Sequence, residues 1–133
     1  MFGKKDESRV QGRIDSLIGA GTRIEGNIRF SGGLRIDGEV KGNVEASEGA
    51  SSSTLVLSEQ AQVEGIVSVA HMVSNGSVVG QVTVTEFLEM QSRAKIVGDV
   101  DYALIEMHQG AVIEGRLVHR GGKSVELKLA ASN

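Results

Sequence analysis

Along residues 22–117 the chain repeats a seven-position pattern of small residue, any residue, Ile or Val, any residue, Gly, any residue, and Val, Ile or Leu. The copies are TRIEGNI (Thr22–Ile28), GEVKGNV (Gly38–Val44), AQVEGIV (Ala61–Val67), GSVVGQV (Gly76–Val82), AKIVGDV (Ala94–Val100) and AVIEGRL (Ala111–Leu117). LRIDGEV (Leu34–Val40) overlaps the second copy in a related register. Before glycine the apolar position reads Ile24, Val40, Val63, Val78, Ile96 and Ile113; after it, Ile28, Val44, Val67, Val82, Val100 and Leu117. Every one is a branched aliphatic, although Val, Ile and Leu make up only about a quarter of the chain. Four residues before each small position stands a further apolar residue: Ile18, Leu34, Leu57, Met72, Met90 and Met107. Within each unit apolar and polar residues alternate, the period of a strand with one buried face. The glycines share the parity of the aliphatics, which predicts that they point inward and let a narrow core taper.

Consecutive glycines (Gly26, Gly42, Gly65, Gly80, Gly98, Gly115) lie 16, 23, 15, 18 and 17 residues apart. A period near 17 fits a three-sided parallel coil with about 5–6 residues per side. The long spacing contains Glu45–Ser53, a small polar stretch that reads as a bulged corner loop. Six windings rising about 4.8 Å each predict a rod about 30 Å long. The fold class is therefore all-β, a single-domain parallel β-helix of about six windings. A left-handed hexapeptide helix is the near competitor, because Ile18, Ile24, Phe30 and Ile36 fall six apart, but that register breaks at Gly42. Spacing alone does not fix the handedness.

Composition agrees with many thin aliphatic layers. The 133 residues include 18 Gly, no Pro, and only Tyr102, Phe2, Phe30 and Phe87 as aromatics. The net charge of −3 is mild and well mixed, with no basic stripe or aromatic platform for nucleic acid. Cysteine is absent, which excludes disulfides and thiolate metal sites. No apolar run reaches the roughly 18 residues of a membrane span, and no signal-peptide core follows the N-terminus. A cytoplasmic protein is expected.

The outward columns give little support for chemistry. Arg23, Glu39, Gln62, Ser77, Lys95 and Val112 form one; Glu25, Lys41, Glu64, Val79, Val97 and Glu114 a second; Asn27, Asn43, Ile66, Gln81, Asp99 and Arg116 a third. A polysaccharide lyase or hydrolase needs clustered carboxylates or bases on neighbouring coils. Here the signs alternate and Val interrupts them. Asp99 under Arg116, and Asn27 beside Asn43, read as ladder pairs on a wet face. A zinc site needs histidines in matching rows, yet His71 precedes Met72, His108 follows Met107, and His119 falls two past Leu117, with the parity of an inward residue. No nucleotide loop of the GxxxxGK[ST] or GxGxxG kind is present. The expectation is no enzyme, no catalytic or metal residue, no cofactor, no nucleotide and no nucleic-acid partner.

The stretch SLIGAGTRIEGNIRFSGGLRIDGEVKGNV (Ser16–Val44), followed by further IEG, VEG and VxG units, strongly resembles the bactofilins, polymer-forming bacterial cytoskeletal proteins. The resemblance covers about residues 16–120. It implies a right-handed, triangular β-helix that assembles end to end, without nucleotide, into non-polar filaments. It further implies a peripheral place at the inner face of the cytoplasmic membrane, as a scaffold for cell-wall, cell-shape or polarity proteins. Two features depart from the family pattern. Proline-containing tails are missing, and no bulky aromatic stands in the last winding, where Leu117, Leu127 or Leu129 would take that part.

Physics also favours self-association, because a β-helix ends in unpaired backbone groups over an open apolar core unless it is capped. No cap is evident in the sequence. Ser124–Leu129 alternates as a strand, with Val125, Leu127 and Leu129 on one face. These three with Leu117, and Ile14, Leu17 and Ile18 at the other end, form the expected polymerisation interface. The N-terminal Met1, Phe2, Lys4 and Lys5 resemble a short membrane-binding motif. Burying Phe2 offers about 1.5–3 kcal/mol and each Lys about 1 kcal/mol near anionic lipid, no better than about millimolar for one chain, so membrane binding depends on the avidity of a polymer. The organisation is thus a tail at 1–13, a β-helix core at 14–123, and a terminal strand with a short tail at 124–133. Two alternatives stand beside the filament: a β-helical carbohydrate-active or acyl-transfer enzyme, and a non-polymerising adaptor using the outward Val79 and Val97.

Overall fold

Each repeat unit folds as two short strands that meet at its glycine, and a third strand completes the winding. The computed structural model describes residues 14–47 and 52–120. The first winding comprises β1 (Ser16–Ile18), β2 (Arg23–Glu25) and β3 (Ile28–Phe30), the second β4 (Gly33–Ile36), β5 (Glu39–Lys41) and β6 (Val44–Ala46). The third begins with β7 (Thr54–Leu57) and β8 (Gln62–Glu64) and runs into β9 (Val67–Ser74), which turns a corner without a break and opens the fourth. There β10 (Ser77–Val79) leads to β11 (Val82–Met90), whose second half opens the fifth winding, continued by β12 (Lys95–Val97) and β13 (Val100–Tyr102). The sixth is β14 (Ile105–Met107), β15 (Val112–Glu114) and β16 (Leu117–His119). All described pairings are parallel and join strands one winding apart. One side is the six-stranded sheet β15-β12-β10-β8-β5-β2; the other two sides merge into a ten-stranded sheet because β9 and β11 bridge their shared corner. The expected three-sided parallel β-helix of about six windings is the observed fold.

Strict register stacks inward side chains into columns. Val40, Val63, Val78 and Ile96 form one, and Val44, Val67, Val82 and Val100 a second, all essentially inaccessible to solvent. Branched side chains on successive windings stack in one buried cluster, and each full burial contributes about 1.5–3 kcal/mol. Phe30, Val69, Val84 and Tyr102 line a third column.

The remaining side departs from the sequence expectation. Its column reads Ile18, Ile36, Leu57, Ser74, Met90 and Met107, so Leu34 and Met72 belong one column over, with Leu55 and Leu88. Corner length is the cause. Gly19–Thr22, Ser58–Ala61, Gln91–Ala94 and His108–Ala111 are four-residue turns closed by a hydrogen bond from the fourth N–H to the first C=O, at 2.9–3.1 Å. Asp37–Gly38 and Asn75–Gly76 are corners of two residues. A two-residue difference moves the column and leaves inward parity intact. Ser74, buried in an otherwise apolar column, accepts a hydrogen bond at Oγ from the Gly76 N–H at 3.2 Å.

The repeat glycines also have a different role from the one expected. Gly42 has φ +156° and Gly80 φ +148°, and a Cβ at either would collide with the carbonyl oxygen of the corner glycine one winding below. They are stacked corners, where backbone meets backbone, and not small fillers of a core taper. The polar insertion begins later than expected, because Glu45 and Ala46 belong to β6 and the loop starts at Ser47.

Candidate functional site: the two ends of the rod

In the middle of the rod each inward residue is covered above and below; at the ends one cover is missing. Ile18, Ile24 and Ile28 on the first winding, and Ile105 and Ile113 on the last, are only partly buried although they continue fully buried columns. The effect is larger for Met107, 42% exposed in register with Met90, and for Leu117, 49% exposed in register with Val100. The backbone is open in the same places. Each of the six terminal strands β1, β2, β3, β14, β15 and β16 pairs with one strand only among the described residues. An unpaired strand edge over a half-covered apolar layer is a surface suited to another strand.

The structure separates the interface residues expected from sequence. Ile18 and Leu117 lie in inward columns at opposite ends. Leu17 is in register with Arg35 and is 61% exposed on the outer face of the first winding. Ile14 is an exposed residue just ahead of β1. Val125, Leu127 and Leu129, and the tail residues Met1, Phe2, Lys4 and Lys5, lie outside the described residues, as does the strand expected at Ser124–Leu129. Sequence reasoning did not name Ile24, Ile28, Met107 and Ile113 as end residues, although each is the first or last member of a column it had aligned; Ile105 stood in no column it had aligned.

The outer faces carry ladders between windings. The Asn43 N–H donates to Asn27 Oδ1 at 2.8 Å, the Ile66 N–H to Asn43 Oδ1 at 2.9 Å, and the Arg116 N–H to Asp99 Oδ1 at 3.0 Å. Asn27, Asn43 and Asp99, each just after a repeat glycine, thus satisfy the amide of the counterpart one winding on. At Asp99 that backbone hydrogen bond, then the one from the Arg116 side chain, holds the carboxyl below its ordinary value. Exposed pairs between windings, Arg29–Glu45 at 3.6 Å and Arg120–Asp101 at 3.3 Å among them, contribute about 0–1 kcal/mol each. The three histidines stand apart. His71 lies between Thr54 and Phe87, His108 follows β14, and His119 stacks edge-on over Tyr102 with ring centroids 5.3 Å apart. One concave feature among the described residues is an open notch lined by Thr22, Arg23, Asp37, Glu39 and Gln60. Among the described residues no helix is long and apolar enough to cross a membrane.

Fold and ends together define a small parallel β-solenoid whose terminal windings leave their core columns half covered. The chain belongs to the bactofilin family: the family model described as "Bactofilin: Polymer-forming cytoskeletal" matches residues 16–118. It is similar to two proteins of Myxococcus xanthus (strain DK1622). Bactofilin BacP is 26% identical over 103 residues, which cover 77% of this chain and 41% of that protein. Bactofilin BacO is 25% identical over 111 residues, covering 84% of each. The chain therefore spans less than half the length of BacP. No solved structure matches it. It is a member of a cytoskeletal, polymer-forming family.

Proposed function

We propose that this bactofilin is a non-enzymatic cytoplasmic scaffold whose rods join end to end, without nucleotide, into non-polar filaments at the inner face of the cytoplasmic membrane. The observation that carries the proposal is the exposure of inward columns at both ends, in Ile18, Ile24 and Ile28 on one side and Met107, Ile113 and Leu117 on the other. Abutting two ends covers these side chains and gives the terminal strands a second partner. No energy source is required, because the contact is made of preformed surfaces. Joining like end to like end makes each joint two-fold and the filament non-polar; that arrangement rests on the family resemblance. Val125, Leu127 and Leu129 are proposed to extend the C-terminal contact.

The membrane is proposed as a partner through Met1, Phe2, Lys4 and Lys5, with a filament displaying many weak tails at once. Cell-wall or polarity proteins are the proposed clients. The decisive experiment is negative-stain microscopy of nucleotide-free protein beside Leu117→Arg and Ile24→Arg variants. Filaments from the parent chain and dispersed rods from the variants are expected; filaments from both variants would refute the end contact. A lateral adaptor role has one supporting observation, the register of Val79 (50% exposed) with Val97 on the outer face of the six-stranded sheet.

A further inference from the structure

Beside the C-terminal end, one group of metal-ligating side chains among the described residues meets on the outer face of the last two windings. Glu89 on β11 and Glu106 on β14 are directly opposite in the parallel register. Two carboxylates so placed repel each other unless a cation lies between them. His108, two residues beyond Glu106, brings its ring to that point. Its Nε2 lies 3.2 Å from Glu89 Oε2 and 3.1 Å from Glu106 Oε2, and the three ligand atoms all fall within 4.8 Å of one another. Gln91 Nε2 donates to Glu89 Oε2 at 3.4 Å and so restrains that carboxylate.

Those separations suit a coordination sphere. Nitrogen and oxygen ligands about 2.0–2.2 Å from a zinc ion stand about 2.9–3.5 Å apart along the edges of an octahedron or tetrahedron. Two of the three edges already have this length. The strand ladder holds Glu89 and Glu106 at a fixed spacing, and the turn after β14 places His108, whose N–H donates to the Met90 carbonyl at 2.8 Å. We propose that Glu89, Glu106 and His108 form a surface binding site for one divalent transition-metal ion, Zn2+ in the first instance. Imidazole with two carboxylates suits Zn2+ better than Mg2+ or Ca2+, which take oxygen ligands alone. Water completes the coordination, because the site is open to solvent. The ion ties the fifth winding to the sixth.

The test uses the full chain without a histidine tag. Zn2+ is titrated calorimetrically at neutral pH, and Co2+ is followed by its visible absorption. One saturable site per chain is expected, with affinity lowered about tenfold or more in both His108→Ala and Glu106→Gln, and unchanged in His71→Ala. Circular dichroism of each variant establishes that the β-solenoid is retained. Absence of saturable binding, or binding undiminished in both variants, would overturn the site. Neither outcome bears on filament formation, which is read separately by microscopy.

Discussion

Asp99 and Arg116, one winding apart, are joined twice: Oδ1 accepts the Arg116 N–H at 3.0 Å and Oδ2 accepts the guanidinium at 3.3 Å. The backbone bond is the larger cause of the lowered Asp99 pKa, because it exists in the fold whether or not the exposed Arg116 side chain stays in place. A carboxylate whose folded pKa is depressed contributes stability above its unfolded pKa and loses that contribution as the pH falls through the folded value. Asp99→Asn keeps the acceptor, as Asn27 and Asn43 do at the matching positions, and removes the titrating charge. The difference in melting temperature between neutral and acid solution is expected to shrink in Asp99→Asn. Equal differences in parent and variant would remove Asp99 from the acid response. An assembly-blocked background is the proper reference, since polymer formation raises apparent stability.

The glycine stack is expected to tolerate no side chain. In Gly80→Ala the new Cβ meets the Gly65 carbonyl at a φ that L residues rarely adopt. Neighbouring windings cannot separate without losing their ladder bonds, so a loss of roughly 2 kcal/mol or more is expected in denaturant unfolding. A variant as stable as the parent would show that the corner can open.

Core columns and end columns are expected to respond differently to the same chemistry. Ile96→Ala, at a position with no solvent exposure, is expected to cost about 2–5 kcal/mol. Ile113→Ala, next in that column but half covered, is expected to cost less than half as much in a non-assembling background. Equal losses would mean that the last winding is covered within the monomer, which would count against the open-end contact.

Filament formation is expected to be sensitive at the ends and insensitive on the outer face. Leu117→Arg, and Leu127→Arg or Leu129→Arg on the proposed extension, are expected to abolish filaments while leaving the β-rich circular dichroism unchanged. Glu64→Lys on an outward column is expected to leave filaments intact. Loss of filaments in Glu64→Lys alone would move the contact to the side of the rod.

Membrane binding is expected to require both the tail and the polymer. Phe2→Ala is expected to reduce pelleting with anionic liposomes, and Leu117→Arg to reduce it with the tail intact. Unchanged pelleting in Phe2→Ala would remove Phe2 from any membrane role.

Much of the fold was legible in the chain. The two columns through Val40 and Val44 were aligned correctly along their full length because a corner glycine marks each copy and both columns lie a fixed two residues from it. The Asp99–Arg116 and Asn27–Asn43 ladders followed from the same alignment. The column through Ile18 was misread at Leu34 and Met72 because the second and fourth windings have corners of two residues there, where the other windings have turns of four. Parity, the signal that distinguishes inside from outside, is blind to a shift of two.

The sequence by itself determined the class of fold, the number of windings and that the aliphatics on either side of each repeat glycine face the core, since alternation and a glycine-marked period are local properties of the chain. Only the tertiary structure decided which winding stacks on which residue. That stacking put Leu17 on the outer face and left Met107, Ile113 and Leu117 half covered at an end. It also brought Glu89, Glu106 and His108 together across two windings. These outcomes depend on corner length and on the finite length of the stack: a column has the same pattern in the middle of a rod as at its end, and only position in space tells whether another layer covers it.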